Sequence, residues 1–256
     1  MEHARIIGAP VTAAALEDFA EAVIARAGRG AYVCVANVHM VTLARRDAAL
    51  AAAMEGAALV AADGMPLVWG LRGRGLAAER VAGPDLMPRL CALAAAAGIG
   101  VYLFGGSAET LAALRAVLPA LAPGLRIAGA EAPRVAMPPA FDSGAAERIR
   151  RSGAGLVLVG LGCPKQELWM AAHTAAVPAV MVGVGAAFDM LAGRLRRAPL
   201  WMRRAGLEWL YRLAAEPRRL ARRYLVSNTR FLWYLATEPL RRRRPQPASP
   251  DSTYQA

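Results

Sequence analysis

The sequence predicts an α/β fold, a Rossmann-like, mostly parallel sheet with helices on both faces. Short apolar runs of strand length alternate with helical segments of roughly 10–15 residues. Several of these runs are apolar throughout, as strands of a buried parallel sheet are. They end in Gly, Asn or Asp, the residues at which a strand gives way to a loop. Together these observations indicate strand–helix–strand units.

The predicted strands are β-branched or apolar runs such as YVCVANV, GVYLF and LVLVG, bounded by turn residues. They cover residues 32–38, 58–62, 100–104, 125–128, 156–160 and 179–184. Between them, apolar positions recur at helical spacing, and several segments begin at Pro or end at Gly. The predicted helices cover residues 12–28, 40–55, 65–72, 84–97, 108–121, 145–152 and 164–175.

From about Pro199 the pattern changes, because two helices, 199–215 and 217–236, follow with no strand between them. In the second helix the apolar residues fall on one face and arginines dominate elsewhere. That apolar face consists of Leu220, Tyr224, Phe231 and Leu235. We therefore predict three parts: an α/β core over 1–195, a helical membrane-associating appendage over 196–238, and a disordered basic, Pro-rich tail over 239–256.

The net charge of +12 is concentrated in the last quarter of the chain. Residues 1–193 contain 16 Lys and Arg against 15 Asp and Glu, whereas residues 194–256 contain 15 against 4. A neutral body with a basic end indicates an anionic partner, which is a nucleic acid, a phosphate-rich substrate or an acidic membrane surface.

The remaining composition excludes several classes. Three widely spaced cysteines without a CxxC pair make a disulfide framework or a zinc site unfavourable. The first residues lack the apolar core of a signal peptide, and no uncharged apolar run reaches the ~18 residues of a membrane span. The expected location is cytoplasmic.

Candidate functional residues stand at the ends of the predicted strands, where ligands gather in open α/β sheets. Asp63 follows ALVAA and is either the N-cap of the next helix or a catalytic base. Asn37 is either a cap or a hydrogen-bonding group for a sugar hydroxyl, and His39 is expected to be neutral and structural. Arg80 is a surface arginine or a phosphate clamp, and Asp189 lies beyond the last strand.

Gly-rich turns follow two further strands. Gly105 and Gly106 precede Ser107, and the segment GLGCPKQ ends at Gln166. Such turns are ordinary strand–helix connections, or they let backbone N–H groups approach an anion. Neither matches GxGxxG or a Walker loop.

A series of motifs in order along residues 30–235 resembles the WecB/TagA/CpsF family of bacterial glycosyltransferases. These motifs are ANVHM, AADGMPLVWGLRGRG, ERVAGPDLM, YLFGGS, VGLGCPKQELWM, GVGAAFDMLAG and RRAPLWMRRAGLEWLYRLAAEPRRLARRYL. The DGMPLVW form is most similar to the exopolysaccharide, xanthan-type glucosyltransferase branch. One departure is Val35, where the family often has Thr, and it leaves the donor sugar open.

The resemblance implies transfer of a sugar, with inversion and no obligate metal or other cofactor, from a UDP-sugar to an undecaprenyl-diphosphate-linked saccharide. The donor sugar would be glucose, N-acetylmannosamine or its uronic acid. Asp63 would be the general base, and the basic appendage would fold over the pocket and dock peripherally on the inner face of the cell membrane. Positions that match pocket or appendage motifs of the family are Asn37, Arg80, Gln166, Asp189, Arg212, Arg219 and Arg222.

Three other classes compete with this interpretation. A basic nucleic-acid-binding protein explains the C-terminal charge but leaves the strand-end residues without purpose, so no nucleic-acid partner is expected. A non-catalytic membrane scaffold explains the appendage alone. A nucleotide-binding oxidoreductase is disfavoured because no GxGxxG follows a strand. Homo-oligomerisation is left open.

Overall fold

A six-stranded, fully parallel sheet flanked by helices forms the centre of the protein, which confirms the predicted Rossmann-like α/β class. The structure, a computed structural model, describes residues 1–242, without the side chains of Arg204, Arg219 and residues 238–242. The strands are β1 His3–Ile6, β2 Ala9–Thr12, β3 Ala31–Ala36, β4 Leu59–Ala62, β5 Gly100–Gly105, β6 Ile127–Glu131, β7 Ala154–Gly160 and β8 Val180–Gly183.

Helices connect these strands and continue beyond the last of them. In the core they are α1 Leu16–Ile24, α2 Val38–Ala44, α3 Ala48–Glu55, α4 Met65–Arg72, α5 Gly83–Ala96, α6 Ala108–Leu121, α7 Ser143–Ser152, α8 Lys165–His173 and α9 Ala187–Leu191. The appendage contains α10 Leu200–Arg204, α11 Glu208–Ala215 and α12 Pro217–Arg242.

The parallel strands lie in the order β4-β3-β8-β7-β5-β6, so all their carboxyl ends meet at one edge. Strands β7 and β5 are neighbours, yet the chain continues from β7 towards β8 and from β5 towards β6, in opposite directions along the sheet. Such a reversal opens the crevice in which α/β proteins bind ligands.

Two hydrophobic clusters cover the two faces of the sheet. One centres on Met40, Met54 and Trp169, and the other on Phe19 and Leu90. Because β3, β5 and β7 contribute alternate residues to each cluster, these strands are apolar on both faces, as their sequences indicate.

The structure differs from the sequence prediction where short-range signals are weak. The hairpin β1–β2 was not predicted; it turns at Ile7 and Gly8, whose φ angles are 45° and 90°. The predicted helix 40–55 is two helices, because the Asp47 side chain accepts a hydrogen bond from Leu50 N and starts α3. The helix predicted over 199–215 breaks near Gly206, whose φ is 73°.

Helix α12 attaches the appendage to the core. Leu220 and Phe231 are buried, which confirms the predicted apolar face of this helix. The Thr42 hydroxyl of α2 donates to the Ser227 carbonyl (3.4 Å), and the Arg45 guanidinium lies 5.2 Å from the centre of the Tyr234 ring. The helix continues to Arg242, four residues into the segment predicted as a tail, and residues 243–256 lie outside the described part.

Candidate active site

Asp63 stands at the carboxyl edge of the sheet, directly after β4. Its backbone N donates to the Ala36 carbonyl of β3 (2.7 Å), which extends the sheet by one residue. The next residue, Gly64, has a φ of 122°, a conformation that side chains rarely adopt, and it occupies the N-cap position of α4. Asp63 therefore does not cap this helix, and its carboxylate is 28% exposed.

Arg80 lies beside Asp63 and is largely enclosed by the protein, so it is not an ordinary surface arginine. Its side chain is 14% exposed, and its Nε lies 3.7 Å from Asp63 Oδ1. Its Nη2 donates to Glu208 Oε2 of α11 (2.5 Å), and its Nη1 donates to the Arg203 carbonyl (3.4 Å). Arg80 thus joins the strand-end carboxylate to the appendage.

A second group of charges continues this connection. Arg197 donates to both carboxylate oxygens of Asp85 in α5, at 2.7 and 2.5 Å. Its Nε lies 3.7 Å from Glu208 Oε1, and Arg203 Nη1 lies 3.6 Å from Asp85 Oδ1. Acidic and basic side chains therefore alternate in space along this series of contacts. We call the six residues the charge network; in the order of their contacts they are Asp63, Arg80, Glu208, Arg197, Asp85 and Arg203.

Burial raises the pKa of Asp63 to about 6. Arg80 is the next largest influence and lowers the pKa, Glu208 and Asp85 raise it, and Arg212 lowers it. The carboxylate is therefore mostly ionised at neutral pH, yet it binds a proton more readily than an ordinary aspartate. This is the property required of a general base.

The raised pKa predicts a stability change on Asp63→Asn. The folded protein binds this proton more tightly than the unfolded chain, so stability is lost as pH rises from about 4 and the loss is complete above pH 6. Asparagine removes that cost, roughly 2 kcal/mol after allowance for exposure, which corresponds to about 4–8 °C in Tm at pH 7.5.

Thermal unfolding of wild type and variant between pH 4 and pH 8 checks this stability prediction. The two Tm values should converge near pH 4. Glu21→Gln removes an exposed carboxylate of α1 and serves as the control, with no comparable gain. A variant no more stable than wild type at pH 7.5 would contradict the raised pKa.

Several buried arginine nitrogens around Asp63 have no hydrogen-bond partner within the described residues. Their Nε–H groups point into the protein without an acceptor at hydrogen-bond distance. They belong to Arg80, Arg197, Arg203 and Arg212. Buried donors are nearly always paired in native proteins, so an acceptor-rich anionic ligand suits this region.

The neighbouring strand end carries Asn37 and His39. The Asn37 Oδ1 accepts from Met40 N (3.2 Å) and caps α2, so the cap interpretation holds for this oxygen. His39 Nδ1 lies 2.9 Å from Ser227 Oγ of α12. Burial, with a smaller contribution from Arg223, lowers the pKa of His39 to about 4, so it is neutral at pH 7 as predicted.

Gln166 follows β7 and is buried among protein groups. Its Oε1 accepts from Gly162 N (3.1 Å), and its Nε2 donates to Glu167 Oε1 (2.7 Å). Glu167 is fully buried, which raises its pKa to about 7. Both ends of the Gln166 amide are occupied, so direct ligand binding by this residue stays a prediction.

Gly105, Gly106 and Asp189 form a separate group around the end of β5. A Cβ on Gly105 would lie 2.7 Å from the Gly160 carbonyl carbon, which explains glycine at this close approach. The N–H of Gly106 donates to the Gly160 carbonyl (3.0 Å) and is therefore engaged within the protein. Asp189 Oδ1 accepts from the Thr110 hydroxyl (2.9 Å).

Three strands separate this group from Asp63, a distance of about 19 Å along the sheet. Helix α5 connects the two regions. A Cβ on Gly83 at its start would lie 2.9 Å from the Val184 carbonyl, beyond the end of β8. The structure thus places Asp63 and Arg80 together and Gly105, Gly106 and Asp189 elsewhere on the same edge.

The three predicted appendage arginines differ in placement. Arg212 lies near Asp63 and Tyr224, whose pKa values it lowers. Arg222 is exposed, and the side chain of Arg219 lies outside the described part. Arg223, next in sequence, instead influences His39 and Glu167 in the core.

Sequence reasoning assigned no role to Glu208, Asp85, Arg197 or Glu167. One signal was available: Glu208 is one of only four acidic residues in the basic segment 194–256. An isolated carboxylate among arginines predicts an ion pair, although its partner could not be read from the sequence.

No group of three or more His, Cys, Asp and Glu side chains among the described residues is arranged to hold a metal ion. None of the helices within residues 1–242 combines the length and apolar character needed to cross a membrane.

An open parallel sheet with a carboxylate of raised pKa and partly buried arginines at its carboxyl edge is an arrangement typical of α/β enzymes that bind anionic substrates. The chain belongs to the glycosyl transferase WecG/TagA/CpsF family, whose sequence model matches residues 4–245. Membership makes it a glycosyltransferase of cell-surface polysaccharide synthesis, with a nucleotide-sugar donor and a lipid-linked acceptor.

Proposed function

We propose that this protein is an inverting, UDP-sugar-dependent hexosyltransferase that acts on an undecaprenyl-diphosphate-linked saccharide. The observation that supports this most is the position of Asp63, a carboxylate of raised pKa at a strand end beside buried arginines. Asp63 accepts the proton of the acceptor hydroxyl as that oxygen attacks the anomeric carbon. The bond from this carbon to phosphate breaks, and the electron pair leaves with UDP.

Arginines stabilise the departing diphosphate in this proposal, and no obligate metal or other cofactor takes part. The candidates are Arg80 and Arg212, the two arginines whose charges lower the pKa of Asp63. Their Nε–H groups have no hydrogen-bond acceptor among the described residues and are in place before the reaction, and such donors stabilise charge that develops in the transition state. Asn37, Gln166, Asp189, Gly105 and Gly106 remain proposed donor-binding positions.

The appendage docks on the inner face of the membrane, where the acceptor lies. Large apolar side chains there are exposed and stand among arginines, an arrangement typical of interfacial helices. They are Leu200, Trp201, Trp209, Leu210, Leu225, Leu232 and Trp233, and Trp69 of α4 is exposed as well. A peripheral enzyme must reach a polyprenyl substrate within the bilayer, and basic residues strengthen binding to an anionic leaflet.

The DGMPLVW motif favours the exopolysaccharide, xanthan-type branch and therefore glucose as the donor sugar. N-acetylmannosamine and its uronic acid are the alternatives, since Val35 offers no hydroxyl at its position. Homo-oligomers are compatible with this proposal and are not required by it.

Release of UDP tests the reaction class and the donor together. The purified protein is incubated in EDTA with a synthetic polyprenyl-diphosphate-sugar acceptor and a panel of the three UDP-sugars. We expect acceptor-dependent release with one donor. No release with any donor, together with salt-dependent binding to DNA or RNA, would instead support the nucleic-acid-binding alternative.

A further inference from the structure

Glu208 and Arg80 form a short contact between the appendage and the residue beside Asp63. Glu208 Oε2 lies 2.5 Å from Arg80 Nη2, and both side chains are 14% exposed. The pair joins residues 128 positions apart in the chain. Arg80 Nε lies 3.7 Å from Asp63 Oδ1, which is beyond hydrogen-bond distance.

From this geometry we infer that Glu208 is a positioning residue for the base, holding Arg80 away from a direct, two-point pair with Asp63. An arginine free of Glu208 would form such a fork-like pair with the nearby carboxylate. The base would then be neutralised by its neighbour and would accept a proton less readily. The inference rests on the proposed function, because it gives Glu208 a role only if Asp63 is the base.

The charges around Asp63 affect its pKa in the directions that this inference requires. Arg80 and Arg212 lower the pKa of Asp63, whereas Glu208 and Asp85 raise it, after burial as the main cause. Arg197 and Tyr224 also lie within electrostatic range of Asp63. Removal of the Glu208 charge deletes a repulsive neighbour and frees an attractive one, so both effects lower the pKa of Asp63.

Docking of α11 thereby prepares the base. With the appendage in place, Glu208 engages Arg80 and Arg197 together, and Asp63 keeps its raised pKa. Without it, Arg80 turns to Asp63 and the base is weakened. The transferase would therefore be most reactive when its appendage is seated.

The test is Glu208→Gln, which keeps the shape and one hydrogen-bond acceptor but removes the charge. Carbon-13 NMR of labelled Asp carboxyl carbons measures the pH midpoint of the Asp63 titration without any assay of activity, and Asp63→Asn identifies its signal. We expect the midpoint to fall by roughly half to one unit. In the transferase assay the acid limb of kcat against pH moves down equally, kcat falls about 3–10-fold and the KM for donor changes little.

Two further variants make the result decisive. Glu208→Asp keeps the charge but shortens the reach, and we expect a smaller fall of the same midpoint. Glu17→Gln breaks a comparable pair, with Arg89 on the core surface, and should leave the midpoint unchanged.

An unchanged midpoint in Glu208→Gln would overturn the inference, even if liposome binding were lost, because Glu208 would then only dock the appendage. A lowered midpoint in a protein whose transferase activity does not depend on Asp63 would uphold the electrostatic role of Glu208 and overturn the catalytic assignment instead. Failure of the inference and of the proposed function are thus distinguishable.

Discussion

Asp63→Asn is expected to lower turnover by about two to three orders of magnitude while donor binding stays close to that of wild type. Asparagine keeps the size of the side chain and a hydrogen-bonding group, but it cannot accept the proton of the acceptor hydroxyl. Loss of a general base has an effect of this size in enzymes generally. Equilibrium binding of the UDP-sugar and steady-state UDP release separate the two effects.

The control for this experiment is Glu21→Gln, an exposed carboxylate of α1 remote from the strand ends. It should retain wild-type turnover. Equal turnover in Asp63→Asn and wild type would end the assignment of Asp63 as the base.

Truncation after residue 196 is expected to abolish both liposome binding and transfer activity. It removes most of the net positive charge, the exposed aromatic side chains and Glu208, the partner of Arg80. Several basic residues at about 1 kcal/mol each account for the loss of membrane affinity. Loss of Arg212, which we propose stabilises the departing diphosphate, adds a fall in rate of roughly a hundredfold or more.

Truncation also uncovers the face of α2 against which α12 packs, so a variant that preserves the fold is needed. Trp201→Ser with Trp233→Ser changes side chains that are 65% and 64% exposed. We expect liposome binding to weaken about tenfold, with an unchanged Tm and unchanged activity on a water-soluble acceptor. Leu121→Ser, which changes an exposed side chain of the α/β core domain away from the appendage, is the matched control. A truncated core that still binds liposomes and transfers sugar would refute the role of the appendage.

Much of the fold could be predicted because its signals are local. Helices α4 and α6 begin and end at the predicted residues, where Pro66 follows the first helical residue and Ser107 caps the helix. The hairpin β1–β2 was missed because its four-residue strands carry no periodicity. Its place depends on β4, where Val60 N donates to the Thr12 hydroxyl.

The candidate site was predictable in part for the same reason. Strand-end residues such as Asp63 and Asn37 follow from the apolar run before them and the turn after them. The short stretch of sequence around each residue could not decide whether it caps a helix or serves a ligand. That Gly64 rather than Asp63 takes the cap position, and that Asn37 does cap α2, depends on backbone geometry.

The sequence by itself determined the approximate positions of the six strands of the parallel sheet, the neutral core with its basic C-terminal segment, and a carboxylate at the end of one strand, since composition and short-range periodicity encode them. Only the tertiary structure decided the order of the strands and the environment of that carboxylate. The pKa of Asp63 results from burial and from charges on other elements, among them Arg80, Asp85, Glu208 and Arg212. Glu208 and Arg212 lie more than a hundred positions from Asp63 in the chain, and their influence exists only after the appendage has packed against the core.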